Sequence, residues 1–460
     1  MDSFTELRRR HVEDVRRFTP EAVARLDWTR EQVRAHQTKR LREVVSHAVQ
    51  HSPYYAERLG HLDARALELD DLPSIPPMTK ADVMTHWDQI VTDPELHLDD
   101  VVEHLEALHA GKHQNYYYLG KYYAAATGGT SGQRGVFLWD WETFIATANA
   151  TYRMEVRDDQ LHPPDGPRRT AVICAGSFVH ASRLLFPTML DPQRDTLVLS
   201  AGTPIGQMVE QLNDYQPDRL VGYASIVEEL CAEALDGRLA IQPQRILTNS
   251  EPLLPEARNM ALEAWGINIH NSWGSVEIGL VATEGDSFAG STLAEDMVIV
   301  EPVDVEHRVV ADPAQADHVL VTKLCGTVMP LVRYVMTDTL VLDNGPNPDA
   351  PGYRRIVDIK GRSDAWFVYA GDIKIHPMVF RSVLGQDRHI SEYQVQQTER
   401  GAKVLAITHG DFEPSRPTAA LQQALADAGL GNAQVSIESV AELPRHPQTN
   451  KLKRFVPLAK

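Results

Sequence analysis

The stretch "AAATGGTSGQRGVFLWD", Ala124 to Asp140, is the part of this chain best suited to chemistry. Its glycines let the backbone approach a ligand closely, and Thr127, Thr130 and Ser131 add hydroxyls to a row of backbone N–H groups. Donors converging in this way hold an anion, most often phosphate. The spacing is not GxxxxGK[ST], so the loop is no Walker-type site, and it does not follow the GxGxxG fingerprint. A lone glycine-rich loop is more often a surface turn, so its companions decide. Two polar clusters, "NSEP" from Asn249 and "NSWGSVE" from Asn271, each follow a short apolar run. Ligands of parallel sheets bind beyond such strand ends.

The surrounding elements are built to carry these segments. "TREQVRAHQTKRLREVVSHAVQHSPYYAERL" has apolar residues at helical spacing and a stop at Ser52-Pro53. His47 and His51 lie four apart there, but Ala48 stands where a zinc-peptidase motif needs Glu, so both read as surface histidines. "LPSIPPMTKADV" is a proline-punctuated connector into a helix with Thr79 as its N-cap. From Thr170 the runs "TAVICAG", "TLVLSAG", "DRLVGYA", "RILTNSE" and "INIHNSWG" recur, the later ones separated by helical segments. That alternation predicts an α/β fold with mostly parallel sheets and helices on their faces. Beyond Val298, "MVIVEPV", "HRVVAD", "HVLVTKL" and "TLVLD" read as strands. The residues after "GRSDAWFVYAGDIKIHP" read β-β-α-β-β-α-β with a hairpin at "TERG", a small C-terminal α+β domain of about a hundred residues. The expected division is 1–363, opening with a helical region over 1–115, and 364–460.

At 460 residues the chain exceeds one ordinary hydrophobic core. Its formal net charge of −18 argues against nucleic acid or an anionic membrane as the main partner. No run approaches the ~20 apolar residues of a membrane span. The N-terminus "MDSFTELRRRHVEDVRRF" is charged throughout, unlike a secretion signal. Cys174, Cys231 and Cys325 are three and far apart in sequence, which suits a reducing compartment, so a cytoplasmic location is expected.

Six segments occur in an order that resembles the adenylate-forming enzymes: "TGGTSGQRG" their phosphate loop, "TNSEPL" their adenine segment, and "NSWGSVEIG" their Y-G-x-T-E motif. "PLVRYVMTD" is similar to their ribose segment, "IKGRSDAWF" to their hinge, and "LPRHPQTNKLKRF" to their terminal lysine motif. Upstream, "VVSHAVQHSPYYAERL" and "LPSIPPMTKADV" resemble the phenylacetate–coenzyme A ligase branch. The resemblance implies a large adenylation domain, a mobile C-terminal domain, and ATP, Mg²⁺ and coenzyme A as cofactors. It implies that Thr127, Gly129, Thr130, Ser131, Gly132 and Arg134 hold phosphate, Arg134 providing the cation because Gln133 replaces the usual lysine. Ser250, Glu251 and Pro252 would line the adenine, and Asn271, Ser272, Trp273 and Gly274 would contact the nucleotide; Asp338 would take the ribose hydroxyls and Arg362 the hinge side of the nucleotide. Glu277 would bind the metal and act in catalysis, Lys451 would bridge the substrate carboxylate and nucleotide, and Asp364 would be the hinge. Tyr223, Trp273 and Gly274 would form the acyl pocket, whose aromatic lining suits an aryl or arylacetic acid.

Four further positions depart from that pattern: Val276 replaces Thr, Thr337 replaces Gly, Ala365 replaces the second hinge Asp and Asn450 replaces Gly. The expected activity is ATP-dependent activation of a carboxylic acid as acyl-adenylate, followed by transfer to coenzyme A. The alternatives are a different acceptor (a carrier-protein thiol, an amine, or nitrite activation for aryl-amine diazotisation) and an inactive nucleotide-binding regulator. Retention of Glu277, Asp338, Arg362 and Lys451 together counts against the regulator. Partners under this reading are a small-molecule acid and, as options, a carrier protein or a second copy of the chain.

Overall fold

The structure is a computed structural model. It describes the chain apart from residues 1–3, 114, 128–134, 165, 167, 176–180, 184–195, 312–315, 337, 363–366, 372, 376–377, 385–386, 388, 446–451 and 459–460, and apart from the side chains of 109, 360–362, 374, 378, 381–382 and 391. The chain divides into two compact units, residues 1–336 with 340–358, and residues 337–339 with 359–460.

The first unit opens with helices α1 (Phe4–Ala24), α2 (Arg30–His51), α3 (Pro53–Leu59), α4 (Lys80–Thr85), α5 (Trp87–Ile90) and α6 (Leu98–His109). Thr29 starts α2 with a capping box to Gln32, and Thr79 starts α4 with one to Asp82, each satisfying two otherwise orphaned N–H groups. Ser52 ends α2 and caps α3, whose first residue is Pro53, so the proline signal marks a restart rather than a loop.

Strands β1 (Tyr117–Tyr118), β2 (Tyr122–Ala126) and β3 (Val136–Trp139) form a small antiparallel sheet, with the glycine-rich segment between β2 and β3. Helix α7 (Trp141–Leu161) follows, capped by Asp140. The large sheet comprises β4 (Thr170–Cys174), β5 (Thr196–Ser200), β6 (Arg219–Tyr223), β7 (Arg245–Asn249), β8 (Ile269–Ser275), β9 (Gly279–Glu284), β10 (Ser291–Leu293), β14 (Asp338–Asp343) and β15 (Arg355–Arg362). Their order is β14-β15-β10-β9-β8-β7-β6-β4-β5. The pairs from β5 to β8 are parallel, while β8-β9, β9-β10 and β10-β15 are antiparallel. The parallel run stops at β8 because the chain turns straight back into β9 without a crossover helix.

The helices Ala224–Leu235 and Pro255–Trp265 cover this sheet, burying Leu220, Ile246, Ile269, Val227 and Leu230 in one cluster. Each such side chain contributes about 1.5–3 kcal/mol on burial. A third sheet, β11 (Val298–Val303), β12 (His318–Lys323) and β13 (Tyr334–Met336), is antiparallel. "HRVVAD" is not a strand: Asp304 and Arg308 close a turn on each other, and Val309 makes only an isolated bridge to Val303.

The second unit runs β16 (Phe367–Tyr369), β17 (Ile373–Ile375), helix Met378–Leu384, β18 (Ile390–Thr398), β19 (Gly401–Thr408), helix Ser415–Asp427, β20 (Gln434–Ser439) and β21 (Phe455–Val456). The β18–β19 hairpin turns at Glu399-Arg400, with Thr398 facing Gly401. Its own core includes Phe367, Phe380, Val395, Val404 and Leu421.

Candidate active site

Each end of the glycine-rich segment is pinned to the other. The backbone N–H of Thr127 donates to the Gly135 carbonyl at 2.9 Å, and the Gly135 N–H donates to Thr127 Oγ1 at 2.9 Å. Gly129, Thr130, Ser131, Gly132 and Arg134 lie outside the described residues. Lys80, the first residue of α4, donates from Nζ to Thr127 Oγ1 at 2.8 Å. The connector that carries Lys80 is itself held: Met78 pairs with Tyr334 of β13 through two backbone hydrogen bonds, Met78 N to Arg333 O and Val335 N to Met78 O. Arg333 reinforces this, reaching the carbonyls of Ile75 at 2.6 Å and Pro73 at 3.3 Å while its Nε donates to Glu301 at 3.0 Å. These charge-assisted bonds hold a guanidinium that is only 3% exposed.

Glu277 sits in the turn between β8 and β9, half-buried. Tyr334 Oη donates to Glu277 Oε1 at 3.4 Å, and Trp139 Nε1 donates to the Val276 carbonyl at 2.8 Å. The turn needs glycine at 279: its φ is +83°, and a Cβ there would lie 2.4 Å from Thr147 Oγ1 of α7. Glu277, Tyr334, Met78, Lys80 and Thr127 therefore form one connected set, although they come from four distant segments. Among the described residues no group of three or more His, Cys, Asp or Glu could hold a metal. A single carboxylate still fits Mg²⁺, which is commonly held by one or two protein carboxylates plus phosphate oxygens and water.

Beyond β7, Ser250 has φ +67°, a costly conformation for a residue other than glycine. Its Oγ donates to Asn249 Oδ1 at 2.8 Å. Glu251 turns back to accept the Ser225 N–H at 3.0 Å, and Pro252 follows, exposed. Along β8, Asn271 and Ser272 are tied to the sheet: Asn271 N donates to Glu284, its Oδ1 accepts from Thr248, and Ser272 Oγ donates to the Thr248 carbonyl. Trp273 is 5% exposed, and its Nε1 has no hydrogen-bond partner among the described residues. Gly274 cannot carry a side chain, since a Cβ would meet the Gly279 carbonyl at 2.0 Å. Tyr223 ends β6, its hydroxyl 2.8 Å from Ser182 Oγ, and burial pushes its pKa up.

In the other unit, Asp338 opens β14 and is half-buried. Arg362 ends β15 with its side chain outside the description, and Asp364 and Lys451 also lie outside it. The sequence reading did not single out Lys80, Trp139 or Tyr334. The contact of Lys80 depends on the pairing of Met78 with β13, which no local spacing announces. Tyr334 lies inside the quoted "PLVRYVMTD", so only its role was missed. The three cysteines are buried and unbridged; burial raises the thiols of Cys231 and Cys325 to about 12.

No family model matches the chain. It is 24% identical over 390 residues to a phenylacetate-coenzyme A ligase of Pseudomonas putida, covering 80% of this chain and 79% of that protein. A phenylacetate-coenzyme A ligase of Thermus thermophilus is 23% identical over 77% of this chain and 76% of its own length. Among solved structures, a 2-hydroxyisobutyryl-CoA ligase in its postadenylation state superposes with a TM-score of 0.72 at 16% identity, covering 94% of this chain and 91% of that one. The chain has the fold of the adenylate-forming superfamily, and within it resembles the phenylacetate–coenzyme A ligase branch.

Proposed function

We propose that this protein activates a carboxylic acid, aryl or arylacetic, with ATP and then transfers the acyl group to coenzyme A. In the first step a carboxylate oxygen attacks the α-phosphorus and the bond to pyrophosphate breaks. In the second the coenzyme A sulfur attacks the acyl carbon and AMP leaves. The observation that carries this reading is similarity to phenylacetate-coenzyme A ligases over four-fifths of both chains.

The residues divide the work as follows. Thr127, at the base of the loop, orients the phosphates. The Ser250–Pro252 turn and the strand from Asn271 to Gly274 frame the adenine, and Asp338 accepts from the ribose hydroxyls. Glu277, steadied by Tyr334 and by the Trp139 bond to Val276, would hold Mg²⁺. When bound, that ion neutralises charge on the phosphate oxygens. Tyr223 and Trp273 give the acyl pocket flat walls. By the sequence resemblance, Lys451 would bridge the substrate carboxylate and the nucleotide, and Arg362 would hold the nucleotide.

The test is pyrophosphate release across a panel of aryl acids and nitrite, each with and without coenzyme A. Aryl-acid-dependent release with thioester formed only when coenzyme A is present is expected. Release without thioester points to another acceptor, such as a carrier-protein thiol or an amine. No release with any substrate ends the reading.

A further inference from the structure

We propose that His47 and His51 together chelate a divalent transition-metal ion such as Cu²⁺ or Zn²⁺, at a surface site independent of the activity proposed above. The two histidines lie four residues apart near the end of α2, a spacing that puts both side chains on one face of the helix. Their rings are stacked, with centroids 4.2 Å apart and planes 26° from parallel. His51 is exposed and His47 is half-buried beside it, so the pair is open to an ion from solvent.

The hydrogen bonds leave the right nitrogens bare. His51 Nδ1 lies 3.0 Å from the His47 carbonyl. A carbonyl oxygen can only accept, so Nδ1 carries the proton of the neutral ring and Nε2 keeps its lone pair. Metal-ligating histidines are held in this way, the second ring N–H donated to a carbonyl or carboxylate that fixes the tautomer. The His47 ring makes no hydrogen bond among the described residues, so no protein group competes for its nitrogens. The nearest acid along the face, Glu43, is one turn earlier and already accepts from Arg40 at 2.7 Å.

The donor set selects the class of ion. Imidazole nitrogen suits Cu²⁺, Ni²⁺ and Zn²⁺, whereas Mg²⁺ and Ca²⁺ take oxygen ligands. Two protein ligands leave the remaining positions to water or an anion. Where a zinc-peptidase helix carries Glu after its first histidine, this chain has Ala48, which is buried. No general base therefore stands between the two ligands, and the site binds an ion without activating its water for hydrolysis.

The experiment is calorimetric titration of Cu²⁺ and Zn²⁺ into the untagged chain, stripped of metal with a chelator, and into His47→Gln, His51→Gln and the double variant. Matched thermal unfolding of the metal-free forms shows that the variants are folded. Losing a partner of a ligand typically costs about 10- to 100-fold in metal affinity, so losing a ligand should cost at least that. Each single variant should lose the same one equivalent of binding, and the double variant should lose no more than either. If the two single losses add up to the double, the histidines bind separately and there is no chelate. If the double variant binds both ions as wild type does, the assignment is wrong. Electron paramagnetic resonance of wild type at one equivalent of Cu²⁺ tests the claim without a substitution. Two imidazole nitrogens on the ion are expected, and one or none overturns it.

Discussion

Replacing Trp139 with Phe tests how Glu277 is held. The indole Nε1 donates to the Val276 carbonyl at 2.8 Å, one residue before Glu277, and the ring packs in a cluster with Tyr123, Phe144 and Ala148. Losing the bond and part of the ring costs about 2–3 kcal/mol of stability, a hydrogen bond of ~1 kcal/mol plus the cavity left behind. The effect on function has a different origin. Without the bond the Val276–Glu277 turn gains conformers that metal binding must remove again, and ordering one backbone residue costs about 1–2 kcal/mol. Half-saturating Mg²⁺ should therefore rise about 5- to 30-fold, while the rate at saturating Mg²⁺ falls less than about threefold. The assay is pyrophosphate exchange against Mg²⁺ at saturating ATP and acid, with thermal unfolding measured alongside. An unchanged Mg²⁺ dependence in a destabilised variant would falsify the claim that Trp139 acts through Glu277.

Lys451→Ala should slow adenylate formation by about 10²–10³-fold while ATP still binds, the cost of losing a charged transition-state contact; normal turnover in that variant, with Lys453→Ala inactive, would move the role to Lys453. His11 is stacked on Trp141, and burial, helped by Arg10, lowers its pKa from 6.5 to about 3. The unfolded chain takes up this proton below pH 6.5 and the folded chain does not, so stability falls as the pH drops from 6.5 toward 3. In urea titrations at pH 6.5, 5.5 and 4.5, His11→Gln should reduce that slope by up to ~1.4 kcal/mol per pH unit, and an unaltered slope refutes the assignment. A fragment beginning at Ile359 should fold alone around Phe367, Phe380, Val395 and Leu421 and unfold cooperatively; a molten spectrum would mean that its core needs the rest of the chain.

The parallel strands were legible as short apolar runs that meet a glycine or polar residue, as at Val221-Gly222 and Leu247-Thr248. The turn back at β8 was not, since "NSWGSVE" reads as a polar cluster until Gly274 and Gly279 are seen to pack on each other. "HRVVAD" has strand composition, but the Asp304–Arg308 bonds and the positive φ of His307 turn the chain there. Motif order singled out Thr127, Glu277 and Asp338 as candidates without revealing what surrounds them. Lys80, Trp139 and Tyr334 meet Thr127 and the Val276–Glu277 turn only through tertiary pairing, and periodicity carries no trace of that.

Those supports share a common beam. Helix α7 begins where β3 leaves the glycine-rich hairpin, and its N-cap is Asp140. Burial opposes the charge on that carboxylate, but Lys323 and hydrogen bonds from Thr143 and Thr327 outweigh it and keep its pKa below the ordinary range. One oxygen accepts the Thr143 N–H at 2.8 Å, and the other accepts the N–H groups of Thr327 and Val328, which lead into the strand bearing Tyr334. Two turns further on, Thr147 fills the space that the missing side chain of Gly279 leaves behind the Glu277 turn. Near the other end, Arg153 binds Asp296 through both nitrogens at 2.8 and 2.9 Å, just before β11. An α-helix has a fixed rise of 1.5 Å per residue, so the spacing between these anchor points is set by sequence separation alone. The end of β3, the acidic turn and the tyrosine strand are thus referred to a single rigid element. The relative placement of Asp140, the Glu277 turn and Tyr334 therefore depends on that element.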